Sequence, residues 1–119
     1  MNGEVSSFVA TLLHSVTNAH FMHWATDSFS EHMALGEYYV EMAELVDKYA
    51  EAYMGRYEQL KEFPSDYYLG LEPVPYLTNI QKFVQEARQH LPQDTELQNL
   101  VDEIADQINS TLYKLRMLK

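Results

Sequence analysis

Apolar residues recur at three- and four-residue steps along most of the chain, and the pattern predicts four helices. Val5, Phe8, Val9, Leu12, Val16, Ala19 and His23 fall in register, which predicts one amphipathic helix from Val5 to Trp24 with a single face to bury. Ala25-Thr-Asp27 reads as a short turn. Ser28 followed by Glu31 is a capping box that opens a second helix, and nothing breaks that helix before Phe63; Gly36 and Gly55 only weaken it. Pro64 to Pro75 is the longest connection and holds Gly70 and Pro73. A third helix from Pro75 to His90 lines up Tyr76, Ile80, Phe83, Val84 and Ala87. Leu91-Pro92-Gln93 stops it. Asp94 or Thr95 then caps a fourth helix, in which Leu97, Leu100, Val101, Ile104, Ile108, Leu112 and Leu115 repeat at helical spacing. No stretch alternates as a strand would, so the predicted fold class is all-α.

Two short connections and one long one across four helices predict a four-helix bundle, with a crossover loop between helices two and three as in ferritin-like proteins. At 119 residues the chain is expected to form one domain over residues 1–119.

The second helix carries more apolar surface than a monomeric bundle uses. One stripe runs His32, Leu35, Tyr39, Met42, Val46, Tyr49 and Tyr53; its neighbour runs Met33, Gly36, Val40, Ala43, Asp47, Ala50 and Met54. Only the side of Glu37, Glu41, Glu44 and Lys48 is fully polar. A bundle helix needs an apolar sector of about 100°. The excess predicts that a second copy covers part of it, making a homo-oligomer.

Composition narrows the chemistry. Eighteen acids against eight bases give a net charge of −10, a surface that repels nucleic acid and attracts cations. No apolar run approaches the roughly 20 residues of a membrane span. The N-terminal stretch lacks the pattern of a secretory signal, which predicts a cytoplasmic protein. With no cysteine, a metal site has to be built from His, Asp and Glu.

Three of the five histidines lie between His20 and His32, beside the one tryptophan. His23 falls on the buried stripe of helix one, and His32 in the first turn of helix two. Asp47 interrupts an apolar stripe of helix two, with Glu51 one turn further on. A buried carboxylate needs a partner or a metal, and two side by side need a shared cation or proton. The plain alternatives are a hydrogen-bonded core histidine and a solvated acid pair. His32 and Asp47 are fifteen residues apart on one helix, about 22 Å at 1.5 Å per residue. One ion therefore cannot bridge histidines and acids within a chain. Two antiparallel copies of helix two can bring them together, in two symmetric sites.

The combination His23-Trp24, His32 and Asp47-Lys-Tyr-Ala-Glu51 resembles the Dps proteins, the mini-ferritins of bacteria. The resemblance extends to Asp94-Thr-Glu-Leu-Gln-Asn-Leu100 and to Leu112-Tyr-Lys-Leu-Arg-Met-Leu118 of the closing helix, with Tyr113 where the family has an aromatic residue. It implies a ferritin-like fold and a ferroxidase that binds Fe(II), as non-haem iron with one or two ions per site, between two-fold related subunits. Such a protein oxidises the iron with hydrogen peroxide or oxygen and stores the product inside a dodecamer. It further implies that His23 and His32 of one chain and Asp47 and Glu51 of its mate are the ligands, with Trp24 as the neighbouring aromatic. The chain departs from the family in a shorter turn between His23 and His32, in Gly36 where many members carry an acid, in a short crossover loop, and in having no basic tail.

The competing reading is a non-catalytic ferritin-like module that binds another protein through a tyrosine-rich second helix, using Tyr38, Tyr39, Tyr49, Tyr53 and Tyr57. On that reading the chain is an oligomer and not an enzyme.

Overall fold

A computed structural model describes residues 2–119. It contains α1 (Asn2–Ala25), α2 (Phe29–Arg56), α3 (Pro73–Ala87) and α4 (Thr95–Met117), with a 3₁₀ turn at Arg88–His90 after α3. No strand occurs among the described residues, and none of their helices is long and apolar enough to cross a membrane. In the bundle α1 lies beside α2 and α3, and α4 closes the ring against α2 and α3. One apolar core draws on all four helices, including Phe8, Leu12, Leu35, Met42, Leu77, Leu97 and Ile104. Phe8 sits at its centre, edge-on to Tyr49 at 5.3 Å and stacked with Phe83 at 6.1 Å.

The expected helix boundaries need three corrections. α1 starts three residues before Val5, and α3 starts at Pro73, with proline in its first turn where the missing N–H costs nothing. The larger change is in α2, which stops at Arg56 and not at Phe63. Tertiary contacts override the helical pattern there. The Tyr57 hydroxyl donates to Asp94 Oδ1 at 2.5 Å, and Arg56 Nε donates to Asp94 Oδ2 at 3.1 Å. Leu60 is drawn into the groove between α1 and α2, beside Val9 and Val46. A continuing helix would carry these side chains away from their partners.

Residues 57–72 contain no helix. They follow α1 from its start, where Gln59, Lys61 and Glu62 face Asn2, Gly3 and Ser6, to the level of Asn18. There Tyr67 meets His14 edge-on at 4.7 Å and donates to Asn18 Oδ1 at 2.9 Å, while Asn18 Nδ2 donates to the Tyr68 carbonyl at 2.8 Å. α3 thus begins far along the bundle from the end of α2.

The caps were partly legible. Ser28 accepts from the Glu31 amide at 3.3 Å, as the capping box requires. The Glu31 carboxylate, however, accepts from the Thr26 hydroxyl at 2.6 Å, and Thr26 in turn accepts from the Ser28 amide at 3.1 Å. Asp94 occupies the cap position of α4 but makes no side-chain cap bond, because Tyr57 and Arg56 already hold its carboxylate.

Candidate metal site

His23 is in the last turn of α1 and His32 in the first turn of α2. The short turn between the helices folds one histidine onto the other. His23 Nδ1–H donates to the carbonyl oxygen of His32 at 2.6 Å, and His32 Nδ1–H donates to the carbonyl oxygen of His23 at 2.8 Å. The second bond satisfies one of the carbonyls that the end of α1 leaves without a helical partner. The rings stack face to face, with centroids 3.6 Å apart and planes 17° apart. Both are half-buried.

This arrangement fixes the tautomer. With Nδ1–H tied to backbone, the neutral form of each ring carries its lone pair on Nε2, which is how metal-binding histidines are commonly held. The stacking adds a restriction. A lone pair lies in the plane of its ring, and two nearly parallel planes do not meet at one nearby point. Each imidazole can therefore serve its own ion, but the two cannot converge on a single one.

Around the pair lie His20 and Tyr39, which the sequence did not mark as part of the site, and Trp24, which it did. His20 stacks on Tyr39 at 4.0 Å, lies against Trp24 at 4.2 Å, and is 6.1 Å from His23. Tyr39 meets His23 edge-on at 5.3 Å. The available signal was spacing: His20 is one turn before His23, and Tyr39 shares a stripe with His32. Trp24 itself is largely exposed.

Asp47 and Glu51 are both exposed on α2, one turn apart. Among the described residues neither has an ion-pair partner. α2 is unbroken between His32 and Asp47, so their separation of about 22 Å along the helix stands. Within one chain the structure joins His23 to His32 and sets Asp47 one turn before Glu51, but it keeps the two pairs apart. No group of three or more metal-ligating side chains forms among the described residues.

Residues 23–115 match the profile of a family of unknown function, DUF5856. The chain belongs to that family. The DUF5856 span begins at His23 and takes in His32, Asp47 and Glu51. No curated protein matches the chain. No solved structure matches it either.

Of the five tyrosines proposed for a binding surface on α2, Tyr38, Tyr49 and Tyr53 are fully buried and Tyr39 is half-buried. Only Tyr57 is exposed, and its hydroxyl is taken by Asp94. These side chains build the core and offer no continuous surface. The exposed apolar residues of α2 are Phe29, Met33 and Val40.

Proposed function

We propose that this protein is a reduced, Dps-like member of the ferritin-like bundles that binds Fe(II) between two antiparallel copies of α2 and oxidises it. The observation that carries this reading is the reciprocal His23–His32 brace, which leaves an Nε2 lone pair on each of two stacked rings at the start of α2. Imidazole and carboxylate together suit iron, and carboxylates hold the ferric product. Because the stacked rings serve separate ions, the reading takes a pair of irons per site: one beside His23, one beside His32, both held by Asp47 and Glu51 of the second copy. Two ferrous ions then supply the two electrons that split the O–O bond of one hydrogen peroxide, which leaves as water after taking up two protons. The path of residues 57–72 along α1, which lets α2 and α3 run in the same direction, supports a ferritin-like crossover. The net charge of −10 favours cation approach.

The test is anaerobic addition of ferrous salt followed by peroxide, monitored by ferric absorbance. The parent protein binds ferrous ion and speeds oxidation, whereas His32→Ala and Asp47→Ala do neither. Equal rates for parent and variants would remove the proposed site.

A second reading, a non-catalytic module, draws on the exposed apolar residues Phe29, Met33 and Val40. It expects oligomerisation with no iron binding, so calorimetry with ferrous ion separates the two.

A further inference from the structure

Every exposed apolar side chain of α2 lies on one face, and that face complements itself. Val40, 53% exposed, marks its middle. Towards the start of the helix Phe29 (76% exposed) and Met33 (55%) stand out from the surface. Towards its end the same face recedes into an open groove between α1 and α2, lined by Leu13, Ala43, Ala50, Met54 and Phe63, with Asp47 at its edge. Phe29 and Met33 lie eleven and seven residues before Val40; Glu51 and Asp47 lie eleven and seven after it, and Ala50 lies ten after.

We infer that a second copy of this chain fills the groove, with Phe29 and Met33 of each copy seated between α1 and α2 of the other about a two-fold axis through Val40. The inference deepens the reading proposed above, because the axis needed to bring His32 onto Asp47 has the same position: the midpoint of 32 and 47 falls between Tyr39 and Val40. The apolar face and the proposed ligands thus fit one register to within half a residue. Charge favours it as well. The antiparallel register sets Asp47 and Glu51 of one copy opposite the first turn of α2 in the other, where the helix dipole is positive and the histidines stand. The interface is isologous, so it closes at two copies and buries both sets of apolar side chains.

The chain has no cysteine, which permits a direct test. Facing Cα atoms of two packed helices are roughly 4–5 Å apart at usual helix spacing, within reach of a disulfide. In metal-free buffer under mild oxidation, Val40→Cys forms a covalent dimer. Glu103→Cys, exposed on α4 outside the face, does not. By sedimentation the parent has twice the mass of the 13.9 kDa chain, or an even multiple of it. Phe29→Asp sediments at a lower mass with an unchanged helical circular dichroism spectrum. A parent that stays monomeric at all concentrations, or a Val40→Cys variant that cross-links no faster than Glu103→Cys, overturns the inference and leaves the face to a different partner. Metal-free dimers that fail to bind ferrous ion uphold this interface while removing the iron reading. Iron binding by a chain that stays monomeric overturns both this interface and the shared site.

Discussion

Gly36 lies directly under the imidazole of His23: a Cβ at position 36 would stand 2.9 Å from His23 Cε1 and 3.1 Å from Nδ1. The helical glycine is where α1 and α2 come close enough for the two histidines to stack. A carboxylate at this position, as in many mini-ferritins, would need the His23 ring elsewhere. Gly36→Ala improves helix propensity by about 1 kcal/mol, but it pushes against a ring held by a stack and a hydrogen bond. The expected result is a global stability within about 1 kcal/mol of the parent together with displaced His23 ring signals in NMR. Unmoved His23 signals would show that the ring has room to spare.

If histidines and acids come from different chains, activity is recoverable by mixing. The double variant His23→Ala/His32→Ala and the double variant Asp47→Ala/Glu51→Ala are each inactive as pure preparations. Unfolding and refolding them together at equal amounts produces mixed dimers with one intact site each, so about a quarter of all sites recover. Ferrous binding in the mixture, measured by calorimetry, distinguishes this from a site within one chain, which mixing cannot restore.

Tyr49 is fully buried in the core, and its hydroxyl has no hydrogen-bond partner among the described residues. A buried polar group without a partner costs about 1–3 kcal/mol. Tyr49→Phe keeps the edge-on contact with Phe8 and is expected to be neutral or stabilising in urea denaturation. Burial also pushes the Tyr49 phenol up to about 12. A group whose folded value is raised contributes stability below its unfolded value and loses it as pH climbs through the folded one. The parent therefore loses stability between about pH 10 and 12, and Tyr49→Phe loses less.

Tyr38 presents the opposite case. It is equally buried, but its hydroxyl meets Ser15 Oγ at 2.8 Å, and Ser15 donates to the Leu12 carbonyl at 2.6 Å. Ser15→Ala strands the phenol and is expected to cost about 1–3 kcal/mol. Adding Tyr38→Phe removes the stranded group, so the double variant recovers part of that loss. A double variant less stable than Ser15→Ala would deny the coupling.

At the far end of the bundle the Tyr57 hydroxyl and then the Arg56 guanidinium hold the Asp94 carboxyl below its ordinary value. A lowered carboxylate contributes stability above its unfolded value, near 3.8, and loses it as pH falls through the folded one. Asp94→Asn is expected to flatten the acid limb of the stability profile below about pH 4, read from melting temperature against pH. The exposure of its partners Arg56 and Tyr57 keeps the effect small.

The helices, and the excess of apolar surface on α2, were determined by the sequence, because amphipathic periodicity depends only on local spacing. The pairing of Asp47 with Glu51 and their distance from His32 also follow from helical rise within one element. The end of α2 was decided by tertiary structure, since Tyr57 and Leu60 leave the helix for partners at Asp94 and in the α1–α2 groove. So was the brace between His23 and His32, because stacking and exchange with the other residue's carbonyl depend on how two helices cross. Gly36 shows the difference most plainly: in sequence it is a weak spot in a helix and a missing acid, and only the approach of α1 turns it into the space that His23 occupies.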